Sequence, residues 1–324
     1  MPIADSDMID ESGITEMKND SKEFERISAR IAELKKSLNA VIVAHNYQRP
    51  EVQDIADFVG DSLELARKCT QVDAKVIVFA GVHFMAESAY ILNPKRTVLL
   101  TEAEAGCPMA DMITAEDLLE WKRRYPEAAV VCYINSSAAV KALSDICCTS
   151  ANGVQVVQSM PQKEILFVPD QNLGHFISRK TDKKMILYPG FCTPHQRVIP
   201  RHIDLARERY PGCVVLVHPE CRPDVVDKAD AAMSTSQMLR YVKESKVQVF
   251  VIGTESGLLH RLGKENPAKE IHLLTEGLVC PNMKKTTLAS VVRTMEGMRN
   301  VITVREDVRV KAKRALDRML KVKK

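Results

Sequence analysis

Residues 40–47 read AVIVAHNY. A short unbroken apolar run closed by His45, Asn46 and Tyr47 is the pattern of a strand buried on both faces of a parallel sheet, with polar residues at its carboxyl end. Two later runs have the same form, VVCYIN (130–135) and VVLVHPE (214–220). Each is followed by a second apolar run: KVIVFAG (75–81), EILFVPD (164–170) and VQVFVIG (247–253). A third follows in turn: TVLLTEAEAGC (97–107), KMILYPGFC (184–192) and IHLLTEGLVC (271–280). Every third run ends in a cysteine. Cys107, Cys192 and Cys280 stand 85 and 88 residues apart (192 − 107 and 280 − 192). His45, Tyr133 and His218 stand 88 and 85 apart (133 − 45 and 218 − 133). The triplets GDS, CTS and MST place Ser62, Ser150 and Ser234 at separations of 88 and 84 (150 − 62 and 234 − 150).

Self-similarity at a fixed period marks repeated units, and strands alternating with helical segments mark an α/β class with mostly parallel strands. The expectation is three similar α/β units around one central site, covering residues 21–107, 108–192 and 193–282. Residues 1–20, acidic and poor in large apolar side chains, read as a mobile tail. A helix is expected from Asp20, with Glu23 as capping partner and Phe24, Ile27, Ile31 and Leu34 at helical spacing. Val308, Ala312, Leu316 and Leu320 predict a final amphipathic helix, and the segment 283–324 is expected to pack on the first unit.

Ligands of parallel α/β sheets bind beyond the carboxyl ends of the strands. Three carboxyl edges turned to one axis would bring together Cys107, Cys192 and Cys280 with His45, Tyr47, Tyr133, Asn135, His218 and Glu220. Three convergent thiolates suit a soft metal centre, and a site with three protein ligands keeps an open position for a substrate atom. Singly, each of these cysteines reads as core; their shared period favours ligation. The sequence holds nine cysteines and no C-x-x-C pair, which argues against zinc ribbons, a thioredoxin-like couple or a disulfide framework. His45, His195 and His218, at strand or turn ends, are expected on exposed loops, as anion binders or acid/base groups. Ser62, Ser150 and the Ser234–Thr235 pair sit at expected helix N-termini, as caps, as anion-binding positions, or as both.

Composition excludes several classes. Lys and Arg number 46 against 42 Asp and Glu, a net charge of +4 with the signs interleaved, which gives no basic stripe for nucleic acid. No apolar run approaches the ~18 residues of a membrane helix. The first residues lack the apolar core of a secretory signal, so a cytoplasmic location is expected. Neither G-x-G-x-x-G nor G-x-x-x-x-G-K-[ST] occurs, so no nucleotide cofactor is expected. GTESGLLH (253–260) fits no phosphate loop and reads as a strand-to-helix turn.

The stretches AHNYQRPEVQDIADFVGDSLELA, VCYINSSAAVKALSDICCTSAN, FVPDQNLG, HPEC and TESGLLHRL, followed by LVCPNMKK, resemble the quinolinate synthase family of NAD biosynthesis, over residues 40–285. The resemblance implies three pseudo-symmetric αβα three-layer domains around a central active site. It implies an enzyme that condenses iminoaspartate (iminosuccinate) with dihydroxyacetone phosphate to give quinolinate, phosphate and water. It also implies a [4Fe–4S] cluster ligated by Cys107, Cys192 and Cys280, with one open iron. Substrate contacts then fall to His45, Ser62, Tyr133, Ile134, Asn135, Ser150, His195, His218, Pro219, Glu220, Ser234 and Thr235. Glu220 is expected as general base with a pKa raised by a dry pocket, assisted by Tyr47, Tyr133 and His218. Transient contact with an upstream aspartate-oxidising enzyme is a further implication. The chain departs from the family in carrying Met233 where many members have glycine. It also lacks the extra cysteines that some members carry near the third ligand, so no disulfide regulation is expected there. Competing readings are another [4Fe–4S] hydro-lyase acting on a dicarboxylate, a non-enzymatic iron–sulfur sensor, and cysteines that serve only the core.

Overall fold

The computed structural model describes residues 11–322. Twelve strands form three separate four-stranded parallel sheets. The first holds β1 (Ala40–His45), β2 (Phe58–Gly60), β3 (Val76–Ala80) and β4 (Thr97–Leu100). The second holds β5 (Ala129–Tyr133), β6 (Ile146–Cys148), β7 (Glu164–Val168) and β8 (Lys184–Leu187). The third holds β9 (Val214–Val217), β10 (Ala231–Ala232), β11 (Val249–Gly253) and β12 (Glu270–Leu273). The orders β2-β1-β3-β4, β6-β5-β7-β8 and β10-β9-β11-β12 are the same order three times.

The nine expected runs are nine of these strands. The additional three, β2, β6 and β10, are edge strands of two or three residues, each running into the GDS, CTS or MST triplet. One interaction ties each of them to its neighbour. The carboxylates of Asp57, Asp145 and Asp230 accept the N–H of Ile42, Val130 and Val215 at 2.8, 2.8 and 2.7 Å. The N–H groups of the same aspartates donate back to the carbonyls of those residues. The repeat therefore extends to individual hydrogen bonds. Because Val130 lies in the buried β5, Asp145→Ala is expected to leave its N–H unsatisfied and to cost about 1–3 kcal/mol. Asn, which keeps the acceptor oxygen, should restore most of it, as read from guanidinium unfolding.

Alternate residues of the strands feed opposite faces, which gives three layers. In the first sheet Val41, Val43, Ile77 and Phe79 enter one apolar cluster, and Ile42, Ala44, Val76 and Val78 enter another. The second cluster is closed by Ile31 and Leu34 of helix Glu11–Leu38 and by Leu288, Val291 and Met295 of helix Leu288–Gly297. The N-terminal helix thus begins upstream of the Asp20 start read from the sequence. The part of the expected tail before Glu11 lies outside the described residues.

The expectation that 283–324 packs on the first unit needs correction. Helix Leu288–Gly297 does so, against helix Glu11–Leu38, β3 and β4. Helix Glu306–Lys321 instead lies chiefly on helix Ala138–Ala142 and β6 of the second unit, and also touches helix His83–Leu92 of the first. Arg318 of this helix donates to the Asp145 carbonyl at 2.8 Å. Its buried Ala312, Ala315, Leu316 and Met319 join an apolar cluster shared by both units. A helix laid across a seam buries its stripe against both walls, which a periodicity in sequence cannot distinguish from burial against one.

Candidate active site

The carboxyl ends of all three sheets open into one cavity, with about 730 Å³ of unfilled space when its opening to solvent is included. Its wall includes Cys107, Cys192 and Cys280, together with His45, Tyr47, Ser62, Tyr133, Asn135, Ser150, His195, His218, Glu220 and Thr235. Three residues named from the sequence are not on this wall. Ile134 is core, its N–H bonded to the Cys148 carbonyl, and Pro219, between His218 and Glu220 in sequence, is buried. Ser234 is fully buried as the N-cap of helix Thr235–Glu244, in a capping box with Gln237. That box keeps the turn at Met233 helical on its far side, and Met233 itself lines an outer groove.

The serines separate into different jobs. Ser62 begins helix Ser62–Gln71, but the cap is Asp61, whose carboxylate accepts from Leu63 and Glu64; the Ser62 side chain is left to the cavity. Ser150 precedes helix Gly153–Ser159, whose N-cap is Asn152, and its hydroxyl lies 3.2 Å from His218 Nε2.

The histidines are not exposed as expected: His45, His195 and His218 retain 5%, 1% and 3% of their accessible surface. Strand ends that would face solvent in one sheet face two other sheets here. The N–H of Tyr47 donates to His45 Nδ1 and the N–H of Glu220 to His218 Nδ1, at 3.2 and 3.3 Å. Each of these rings therefore carries its proton on Nε2. Burial lowers their pKa values to about 3 and about 4 against the opposing pull of Glu220. They are neutral N–H donors at physiological pH, not cations.

Glu220 also differs from expectation. Burial raises its pKa, but His218 and His195, with hydrogen bonds from His195 and Tyr133, outweigh burial and hold it at about 2. Its Oε1 accepts from the Tyr133 hydroxyl at 2.6 Å, and its Oε2 lies 2.8 Å from His195 Nδ1. His195 Nε2 faces the Thr254 hydroxyl at 2.9 Å, which in turn meets the Tyr47 hydroxyl at 2.6 Å. A continuous chain runs Tyr47–Thr254–His195–Glu220–Tyr133. Its donors and acceptors match when Nδ1 of His195 carries the proton. Burial, and then the charge of Glu220, push both tyrosines well above the usual phenol range, so both are neutral donors. Asn135 Oδ1 is buried in the wall with no protein partner, an acceptor left to a ligand.

All nine cysteines are free. Burial pushes the Cys107 thiol up to about 12 and raises Cys192 and Cys280 as well. Backbone N–H groups oppose this at each sulfur: Met109 and Ala110 at Cys107, His195 at Cys192, and Asn282 and Met283 at Cys280. The donors come from two or three residues downstream, where the chain turns into a short helix. N–H groups aimed at sulfur favour the thiolate. Three partly buried thiols on one wall, each so furnished, are a donor set that fits an iron–sulfur group. One ligand-atom group from Cys192, His195 and Glu220 lies within 4.8 Å. His195 Nδ1 at 3.1 Å from Cys192 Sγ and 2.8 Å from Glu220 makes that group a hydrogen-bonded one.

Sequence reasoning missed Thr254 and Glu255, which it placed in a plain turn. The turn is there, between β11 and helix Leu258–Glu265, but Thr254 completes the chain above and Glu255 lines the cavity. Asp170, the corresponding acid after β7, was missed too. The available signal was position: Asp170 closes the second run of its unit and Glu255 lies two residues beyond the second run of its own.

Comparison with known proteins adds the following. The family model described as quinolinate synthetase A protein matches residues 29–321. A quinolinate synthase of Dehalococcoides mccartyi is 55% identical over 298 residues, 92% of this chain and 99% of that protein. A quinolinate synthase of Alkaliphilus metalliredigens is 54% identical, covering 90% of this chain and 97% of that protein. Quinolinate synthase 1 of Methanosarcina acetivorans is 52% identical, covering 91% and 97%.

Proposed function

The chain belongs to the quinolinate synthetase A family, and from that premise we propose that it is a quinolinate synthase joining iminoaspartate to dihydroxyacetone phosphate. The products are quinolinate, inorganic phosphate and two waters. The observation that carries the reading is the meeting, on one cavity wall, of three cysteines and four members of a five-residue acid–base chain drawn from all three sheets, the fifth, Thr254, joining them from behind the wall. Neither a sensor nor a set of core cysteines calls for such a chain.

Cys107, Cys192 and Cys280 would hold a [4Fe–4S] cluster. When bound, that group supplies an iron without a protein ligand, a Lewis acid toward a substrate oxygen or nitrogen. The chain's own residues do the rest. The Nε2–H groups of His45 and His218, with the hydroxyls of Ser62, Ser150 and Thr235, donate to the carboxylates and the phosphate. Neutral donors hold anions without burying an unpaired cation. Asn135 Oδ1 accepts from the imine or enamine nitrogen.

Tyr47 is the proton-transfer group. As its hydroxyl proton passes to Thr254 Oγ1, the Thr254 proton passes to His195 Nε2, and Glu220 holds the imidazolium so formed through Nδ1. In the same step the Tyr47 oxygen takes a proton from the substrate, so no free phenolate forms beside Glu220, and the reverse sequence returns one to a departing hydroxide. Tyr133, whose proton is given to Glu220 Oε1, presents its oxygen as an acceptor to a substrate N–H or O–H from the opposite side. The buried apolar lining of Val82, Phe84, Met85 and Met109 limits water in a reaction that must lose it.

We further propose a cytoplasmic location, which suits nine free thiols. Contact with an aspartate-oxidising enzyme would spare the imine from hydrolysis in transit. The deciding experiment is anaerobic reconstitution with iron and sulfide, followed by incubation with iminoaspartate and dihydroxyacetone phosphate. Quinolinate, identified by mass, is the expected product. Protein that carries four irons and turns over neither substrate would overturn the proposal.

A further inference from the structure

Beside the reaction's own groups stands a second buried carboxylate, Glu255, with 1% of its surface exposed. Its Oε1 accepts the backbone N–H of Cys280 at 3.0 Å. Its Oε2 accepts the N–H of Gly257 at 2.7 Å. The Lys284 ammonium lies 3.0 and 3.1 Å from the two oxygens. Lys284 also donates to the Tyr47 carbonyl at 2.7 Å, and its own carbonyl accepts from Arg49 at 2.8 Å. Gly257 is pressed against the same loop of the first unit: a Cβ there would lie 2.7 Å from the Gln48 carbonyl oxygen. Gln53 Nε2 donates to the carbonyls of both Gly257 and Gln48, at 2.8 and 2.9 Å.

We propose that Glu255 and Lys284 are positioning residues, a clasp that fixes the Cys280 sulfur relative to the Tyr47 hydroxyl. The clasp ties the segment 254–257 of the third unit, and the stretch 280–285 that leads out of it, to the loop 46–49 of the first. The carboxylate orients the third cysteine through its backbone, and the ammonium carries that fixed point across to the residue that moves the proton. The second unit repeats the first half of the device: Asp170, fully buried after β7, faces the backbone of Cys192. The purpose of the clasp rests on the function proposed above; its existence does not.

The test uses the full chain as wild type, Glu255→Gln, Lys284→Met and Lys284→Arg. Hydrogen–deuterium exchange is followed over 275–286 and 45–52, with β5 as internal reference, and iron release to a chelator is timed after anaerobic reconstitution. Glu255→Gln and Lys284→Met are expected to raise exchange in both segments by about tenfold or more while β5 stays protected. They should also lose iron about 10–100-fold faster. Lys284→Arg, which can still reach the Tyr47 carbonyl and Glu255, should stay within about twofold of wild type. Unchanged exchange and iron retention in both Glu255→Gln and Lys284→Met would overturn the clasp. So would a rise spread evenly over the whole chain, the signature of a general fold staple. A wild type that takes up no iron would sink the cofactor reading instead, and the exchange data would still decide the clasp.

Discussion

Serine in place of Cys107, Cys192 or Cys280 is expected to lower quinolinate formation by on the order of a thousandfold and to leave reconstituted protein short of iron. The alcohol of serine does not ionise at neutral pH and is a hard ligand where a soft one is needed. Each of the three sulfurs comes from a different sheet, so the loss of one cannot be covered by a neighbour on the same loop. A metal acting as Lewis acid is worth several kcal/mol to a transition state, and each 1.36 kcal/mol is a factor of ten. The comparison that gives the result meaning is Cys69→Ala. Cys69 is buried in helix Ser62–Gln71, away from the cavity wall, and should retain iron and turnover. Iron per chain, the absorbance near 400 nm and product yield are the measurements. Loss of iron in the Cys69 variant, or its retention in all three others, would contradict the ligand assignment.

The trio of cysteines was legible because a period survives when identity does not. Each third strand must end where its loop enters the centre, so the spacing of Cys107, Cys192 and Cys280 records the geometry of the repeat. The edge strands β2, β6 and β10 were not legible. A strand of two or three residues with one neighbour has no room for an alternation or an apolar run. Nor was the burial of His45, His195 and His218, since a sequence shows that a strand has ended and not that two other sheets face its end. The same blindness explains Glu220. Its burial could be foreseen, which argues for a raised pKa, but His218 on its own loop, His195 at the start of its own unit and Tyr133 from the second unit reverse the sign. The three serines recur at one period yet differ in role: in the first unit the cap passes to Asp61, and in the second Asn152 stands at the N-cap position with its Oδ1 turned back to Thr149 rather than capping the helix. Repetition in sequence thus located the site well and described its individual side chains less well. Convergence on the cavity is imposed on all three units, whereas hydrogen bonding is settled residue by residue.

Glu220→Gln is the variant that probes those individual roles. The carboxylate satisfies two donors at once, the Tyr133 hydroxyl on Oε1 and His195 Nδ1–H on Oε2. An amide of nearly the same shape has one acceptor oxygen and must turn its NH₂ toward the other partner. If the oxygen stays with Tyr133, the NH₂ faces His195 Nδ1 and favours the tautomer with its proton on Nε2. Thr254 then meets a donor where it needs an acceptor, and the path from Tyr47 is cut. If the oxygen stays with His195, Tyr133 loses its acceptor, and either orientation leaves no negative charge to hold an imidazolium. Proton transfer by a positioned group contributes about a hundred- to ten-thousandfold, and kcat should fall within that range. KM should change little, because His45, Asn135 and the hydroxyls on the wall are untouched. Iron content should stay at the wild-type level, since all three sulfurs and their backbone N–H donors remain. Thr254→Val, which breaks the same path at its middle and leaves Glu220 in place, should lower kcat by a similar factor. The double variant should be hardly worse than either single one, as expected when two residues serve one path. Full turnover in Glu220→Gln, or strictly multiplicative losses in the double variant, would show that the proton travels by another route.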